Sequence, residues 1–434
     1  MIVGYQFYME KVIKKNLILS EAAIYLISNM LVASIPFILL PFLTRYLSPE
    51  EYGQIAMFQV LVGALGAFLG LSVHVLVSRK YYEDITDKEI GEFLGSCLQV
   101  VLAMLIVSMM LMYTFKDDIS SLFGIKNEWL IYGLLVSVSI IVIQLRLTQW
   151  QVRRGARKYG VMQVFQAVSN LIFTIVFVFI MLRGAEGRVL AQVLMTVLFL
   201  IISLMSLKKD GLLFLFVWNK AYIKEIFKFG LPLVPHVAGV FLLVTVDRVV
   251  ITGELGLTAT GVYMVAVQLS MALALVFDAI NKAYVPWLYE QLKSDIIDNK
   301  CKIVRLTYYG YAIILIGAIF SFFVSPMLVN YIVGPEYDGV DDVIGWLVLG
   351  QAFSGMYILM ANYIFYSKLT GLLSLITVMS GLVNVLLLFI LIKYWGIEGA
   401  AIAFCISMAL RFLLTCFVAN YRFPMPWFSF WQKT

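Results

Sequence analysis

The sequence predicts an all-α polytopic membrane protein: twelve transmembrane helices in two parallel six-helix repeats around a central cavity. Three observations carry that expectation. Of 434 residues, 62% are apolar or aromatic and 13% are charged, with a mean hydropathy of +0.93. A soluble domain carries about 25% charged residues, so this chain has too little polar surface to coat a globule. A soluble enzyme, a disordered chain and a secreted domain are excluded on that ground. Apolar runs of bilayer-crossing length, about 20 residues, recur along the chain with short connections between them. Finally, the two halves match at equivalent span boundaries.

The runs, bounded by charged or turn residues, place the first six spans at 21–43, 53–77, 92–115, 129–150, 160–182 and 189–207. The second six fall at 230–252, 260–283, 307–332, 343–366, 371–393 and 399–420. Lys11, Lys14 and Lys15 precede the first run and no small-residue cleavage site follows it, so it reads as a retained span. The first span carries Pro36 and Pro41 and the seventh carries Pro232 and Pro235, residues that free backbone carbonyls and permit bending. Gly63, Gly66 and Gly70 on the second span are small enough for close helix approach. The longest connection, 208–229, mixes Lys208, Lys209, Lys220, Lys224 and Lys228 with Leu212, Phe214, Phe216 and Trp218, which suits a segment lying at the interface. It separates an N-terminal bundle, 1–207, from a C-terminal bundle, 230–434. Trp427, Phe428, Phe430 and Trp431 read as an interfacial aromatic belt.

Orientation follows from the 32 Lys and Arg residues. The N-terminus, the even-numbered connections and the C-terminus hold 22 of them; the odd-numbered connections hold six, Arg45, Lys116, Lys126, Arg183, Arg188 and Lys393. Basic residues favour the cytoplasmic side, so both ends are expected there. Cys97, Cys301, Cys405 and Cys416 are scattered without paired spacing and read as inert thiols. Only two histidines occur, in separate halves, and no metal-ligand spacing is present.

The repeat rests on three anchors. Leu43-Thr44 through Leu47 to Gly53 aligns with Ile251-Thr252 through Leu255 to Gly261 at a shift of 208. Gly184-Ala185-Glu186-Gly187 aligns with Gly396-Ile397-Glu398-Gly399, and Gly160 with Gly371. A six-helix unit ends on the side where it began, so its copy enters with the same polarity. Parallel repeats of this kind are related by an axis along the membrane normal, and transporters bind substrate where such repeats meet.

The stretch Pro41-Phe42-Leu43-Thr44-Arg45-Tyr46-Leu47-Ser48-Pro49-Glu50-Glu51-Tyr52-Gly53 resembles the first-loop signature of the Wzx-type bacterial polysaccharide flippases. Asp247-Arg248-Val249-Val250-Ile251 with Gly261-Val262-Tyr263 resembles that family's seventh-to-eighth span segment, and Pro286-Trp287-Leu288-Tyr289 its eighth-span exit. The resemblance implies membership of the MOP exporter superfamily, which includes MATE multidrug exporters and the lipid II flippase. It also implies a substrate, an oligosaccharide on a polyprenyl diphosphate, moved across the bacterial cytoplasmic (inner) membrane. Implied partners are the bilayer, a polysaccharide polymerase and a chain-length regulator. No cofactor is expected beyond proton or sodium coupling.

An ionisable group at the bilayer centre costs at least ~2.5–3.5 kcal/mol, so it faces a cavity or a partner. A diphosphate headgroup is anionic and guanidinium forks suit its oxygens, so the basic groups Arg411, Arg146, Lys282, Arg248 and His74 are the candidate headgroup ligands. Arg411 leads, because it lies deep in the last span. Arg146 sits near a basic connection and also reads as snorkelling to the interface. His74 and Lys282 occupy matching places in the repeat. Asp278 and Lys282, four apart, have the spacing of an intrahelical ion pair. Asp247 and Arg248 are adjacent, so on a regular helix they point about 100° apart. Asp278, Asp247 and Arg45 are the candidate coupling or gating residues.

Two other functions fit the same span count. A cation-coupled drug or small-solute antiporter of the superfamily favours buried acids, whereas these spans hold four Lys or Arg against two Asp. The polymerases of the pathway that the resemblance implies carry a large extracytoplasmic loop, and no connection here is long enough to build one.

Overall fold

A computed structural model describes residues 2–83, 86–293, 296–367 and 371–427, with side chains from residue 21 onward. The side chains of Lys11, Lys14 and Lys15, and all of Lys368, Phe428, Phe430, Trp431 and Lys433, lie outside the described residues. Among the described residues every regular element is helical: α1 (Ile2–Tyr46), α2 (Pro49–Gly70), α3 (Val73–Lys80), α4 (Asp87–Thr114), α5 (Lys116–Phe123), α6 (Asn127–Val152) and α7 (Ala156–Thr174), which runs on as a π-helical turn over Ile175–Ile180. Then come α8 (Gly184–Lys209), α9 (Lys220–Val244), α10 (Val246–Lys293), α11 (Ile297–Ile332), α12 (Val340–Tyr366) and α13 (Gly371–Arg422).

Eleven of these helices are long and apolar enough to cross a membrane. The 52-residue α13 contains Gly396 outside helical conformation. Divided there, it supplies two spans and brings the number to the twelve expected. The 48-residue α10 is likewise interrupted at Gly256, but its first turns continue α9, so it adds none. Chemistry at the starts explains several boundaries. Ser48 and Glu51 exchange side-chain to backbone hydrogen bonds around Pro49, a capping box with proline at the first helical position. Thr86 and Glu89 do the same for α4, and Asn219 accepts from the first-turn amides of α9.

Sequence and structure differ on the second span. The apolar run 53–77 is not one helix, because Leu71 and Ser72 take positive φ and break it before α3. Gly63 and Gly66 are not close-approach points either: a Cβ added at either would meet nothing within 4 Å. The segment 210–219 is coil. Its Phe214 lies against the bare faces of Gly91 and Gly95 on α4, and Gln99 donates to the carbonyls of Leu215 and Val217.

Contacts cluster into two units. The first comprises Met1–Leu39, Leu61–Ser121 and Ile125–Val234; the second comprises Leu40–Val60, Leu122–Gly124 and Pro235–Thr434. In the first, α6 packs against α8, α4 and α3, with Ile143, Leu147, Trp150, Met162 and Phe199 in one cluster. In the second, α12 packs against α13, α10 and α11. A larger core there includes Leu288, Ile303, Met356, Tyr363 and Phe412, and Trp427 packs on it rather than standing free. Span four of each repeat is thus the central post of its unit. Cys97 and Cys405 are buried, and all four cysteines are free thiols.

The repeat is visible in the backbone. Gly184 and Gly396 both take positive φ, 56° and 55°, and Gly187 and Gly399 each press against a carbonyl of the preceding span, Phe177 and Leu391. Within the second unit the Gly53 and Gly261 anchors touch reciprocally. A Cβ on Gly53 would collide with the Leu257 carbonyl, and a Cβ on Gly261 with the Pro49 carbonyl. The shift of 208 converts one contact into the other, so this crossing is isologous, as at a two-fold axis. Gly261→Ala is therefore expected to cost about 1–3 kcal/mol by overpacking. That cost reads out as a lower thermal unfolding midpoint in detergent, and an unchanged midpoint contradicts the close crossing.

Candidate functional site

In the first unit the intramembrane cation is Arg146, 1% exposed on α6. One guanidinium nitrogen, Nη2, donates to Asp210 Oδ2, just beyond α8. The plane lies over the Trp150 ring at 4.3 Å, and Nε and Nη1 are buried without a hydrogen-bond partner. Arg146 therefore does not snorkel; a carboxylate comes to it. Burial alone would push the Asp210 carboxyl up. The hydrogen bond and charge of Arg146, with Lys158 and Arg153 beyond, hold it below its ordinary value of 3.8.

A second tie on the same unit involves a residue that sequence reasoning counted only as loop charge. Lys80 at the end of α3 reaches Glu83 at 2.7 Å and Glu225 on α9 at 3.0 Å, between the rings of Phe93 and Tyr222. Burial pushes the Lys80 ammonium down, and the two carboxylates raise it by more. Glu83 at i+3 was the readable half of this cluster; Glu225 is 145 positions away and gave no local signal. His74, six residues earlier on α3, is half-buried. It and Lys282 lie in different units.

In the second unit, Asp247 and Arg248 do face one another, contrary to the regular-helix expectation. The helix breaks at Thr245 between α9 and α10, so the 100° spacing does not hold there. Asp247, 2% exposed, accepts from the Arg248 amide at 2.9 Å, the Tyr263 hydroxyl at 2.7 Å and Arg248 Nη1 at 3.3 Å. Arg248 Nη1 also donates to the Val244 carbonyl. A helix break leaves backbone donors and acceptors without partners, and this buried pair satisfies them. Asp278 and Lys282 close their intrahelical pair at 2.5 Å, with both side chains more than half exposed.

Arg411 differs from these three. It lies on the second half of α13, about eleven residues or ~16 Å from Arg422 at the helix end. Its guanidinium stacks over Tyr357 of α12 at 3.8 Å, and Nη2 donates to the Thr377 hydroxyl at 3.2 Å. Nε is buried without a partner. Among the described residues Arg411 forms no ion pair, whereas Arg146, Arg248 and Lys282 each hold a carboxylate.

Arg45 serves the crossing at Gly53 and Gly261. It donates to the carbonyls of Tyr331 and Ile332 at the C-terminal end of α11, at 2.9 and 3.4 Å, and to Pro41 at 2.7 Å. A guanidinium there satisfies terminal carbonyls and complements the helix dipole. Around it Gly334 donates to Thr44 Oγ1 at 3.0 Å, Tyr337 to the Leu47 carbonyl at 2.9 Å, and Tyr52 to Gln268 Oε1 at 2.7 Å.

The family described as polysaccharide biosynthesis protein matches residues 18–291, well over half of the chain, and the chain belongs to that family. Among curated relatives, "Lsg locus putative protein 1" of Haemophilus influenzae is 25% identical over 399 residues, covering 88% of this chain and 95% of its own. A Shigella dysenteriae protein named "Putative O-antigen transporter" is 21% identical over 372 residues, covering 85% of this chain and 91% of its own. The fold is shared with the lipid II flippase MurJ in an inward closed conformation, at a TM-score of 0.73 and 14% identity, covering 93% of this chain and 87% of that one. It is also shared with an inward-facing MATE family multidrug transporter of the MOP superfamily, at a TM-score of 0.66 and 16% identity over 91% of this chain and 94% of that one.

Asp210→Asn leaves Arg146 buried without its countercharge. The loss expected is about 1–3 kcal/mol, less than the ~3–5 kcal/mol of a fully buried pair because Asp210 is 36% exposed. Because the folded carboxyl titrates below its unfolded value, its contribution is fully present above the unfolded value and fades as pH falls through the folded one. The difference in unfolding midpoint between wild type and variant is therefore flat from pH 7 to about 4 and shrinks below it. A difference that disappears near neutral pH contradicts the pair.

Proposed function

We propose that this member of the polysaccharide biosynthesis protein family is a flippase that moves an oligosaccharide on a polyprenyl diphosphate across the cytoplasmic membrane. It works by alternating access, without covalent chemistry. The observation that carries this reading is Arg411: a cation deep in a span, held by a ring and a hydroxyl, with no carboxylate paired to it among the described residues. A charge kept at such depth needs a compensating partner. A diphosphate headgroup is one, and its oxygens match the guanidinium fork. The names of the Shigella relative and of the MurJ neighbour point the same way.

The face bearing Lys80, Arg153, Arg154, Arg157, Lys158, Lys208 and Lys209 is cytoplasmic in this reading, by the distribution of basic residues. The crossing at Gly53 and Gly261 then lies on the outer side, and it must part to release the sugar. The polyprenyl chain stays in lipid throughout, and a polymerase consumes the product outside. The drug-antiporter reading is weaker, since the unpaired intramembrane charge is positive and suits an anion better than a cationic drug.

In vesicles containing the purified protein and a fluorescently labelled polyprenyl-diphosphate oligosaccharide, headgroup accessibility to a membrane-impermeant quencher should show protein-dependent exchange between leaflets. Arg411→Gln should slow that exchange at least tenfold, and Arg411→Lys less. Equal rates for wild type and Arg411→Gln, at equal incorporation and thermal stability, contradict the assignment.

A further inference from the structure

Arg411 and the crossing leave one constellation in the first unit unexplained. At the basic-face end of that unit a cavity of about 810 Å³ is lined by Arg153, Arg154, Arg157 and Lys158, together with Glu21, Asp210 and Trp150. Two of these charges are already committed, Asp210 to Arg146 and Arg153 to Asp87 at 2.6 Å. The remaining three cations face one carboxylate, Glu21, so the cavity keeps a positive surplus. Its floor is the start of α7, where Gly155 supplies no side-chain cap and the first amides have no helical acceptor.

Next to this cavity runs an apolar groove of about 610 Å³ between α1 and α7, lined by Ile27, Leu31, Val161, Val164 and Phe165 among others. Cavity and groove share two lining residues, Ile24 and Arg157. Gly160, against Ile24 and Ser28, lets the two helices meet at the junction. Ile27, Leu31, Val161 and Phe165 are exposed, and they belong to bilayer-crossing helices. A cationic pocket at an interface, opening into an apolar trough along the adjoining spans, has the polarity profile of a single phospholipid.

We propose that this is a binding site for an anionic phospholipid of the surrounding leaflet. Its phosphate sits among Arg154, Arg157 and Lys158, and an acyl chain lies in the groove between α1 and α7. Charge complementarity and continuity of the two hollows argue for this occupant, since basic pockets between transmembrane helices hold acidic lipid headgroups. The site lies wholly in the first unit and Arg411 belongs to the second, so the site does not rest on the transport reading.

The test is native mass spectrometry of the full-length protein in detergent, titrated with phosphatidylglycerol or with phosphatidylcholine. Wild type should retain phosphatidylglycerol and not phosphatidylcholine. The combined variant Arg154→Gln, Arg157→Gln, Lys158→Gln should retain it at least tenfold less. Gly160→Leu, which obstructs the groove and keeps the three cations, should also lose it, whereas Lys208→Gln with Lys209→Gln should not. If the triple variant fails to fold, Arg157→Gln alone is read the same way, with a loss of at least threefold expected. Equal retention by the cation variants overturns the proposal. So does displacement by millimolar inorganic phosphate, which reduces the site to a free-anion pocket, or retention of polyprenyl diphosphate in preference to phosphatidylglycerol, which assigns it to the transported lipid.

Discussion

Two helices can cross at backbone distance only where neither carries a side chain, and the glycines at 53 and 261 meet that condition for each other. Because the same contact is made twice, with Pro49 and Leu257 exchanging roles, a duplication supplied both halves at once. What surrounds the crossing follows from this closeness. With the backbones in contact, Thr44 and Tyr337 can reach main-chain groups nearly 300 positions away in sequence. Arg45 can cap the end of α11 in the same way. This corner combines directed hydrogen bonds with buried apolar side chains such as Leu47, Met57, Phe58, Val262 and Val265. The hydrogen bonds themselves can exchange for water at modest net cost, since a typical bond contributes only ~0.5–1.5 kcal/mol.

The ionisable groups inside the spans answer to a second constraint, the cost of an unmatched charge in hydrocarbon. Arg146 is met by Asp210, Arg248 by Asp247 and Lys282 by Asp278. The Asp247–Arg248 pair also repairs a helix break, so its charges serve the backbone. Arg411 is the exception, and its stacking on Tyr357 offsets only part of its desolvation. Among the described residues Arg411 is thus the one of these four cations without a carboxylate, which is what the proposed headgroup role rests on.

Much of the fold was legible because bilayer-length apolar runs and short connections leave few alternatives. The glycine-containing corners were legible because duplicated positive-φ sites, Gly184 and Gly396, demand the same residue twice. Other features were hidden for physical reasons. Gly63 and Gly66 looked like packing glycines but meet nothing, because small size permits contact without requiring it. The break at Leu71–Ser72 follows Gly70, but positive φ falls on Leu71 and Ser72 rather than on the glycine, so the residues that turn the chain carry no signal for it. Asp247 and Arg248 were read with regular helical geometry, but they follow the turn at Thr245 between α9 and α10. The partners of Lys80 and Arg146 lie 145 and 64 positions away, and no spacing rule connects them. Arg411 was the reverse case: depth alone marked it, and the structure added its neighbours, Tyr357 and Thr377.

In the proposed cycle the crossing is a closure that transport must undo. Tyr52 and Gln268, hydrogen-bonded across it at 2.7 Å, can be replaced by cysteines and joined through a short cleavable bis-thiosulfonate. Leaflet exchange of the labelled polyprenyl-diphosphate sugar should stop on cross-linking and return when the bridge is reduced. Exchange at the full rate in quantitatively cross-linked protein would contradict it.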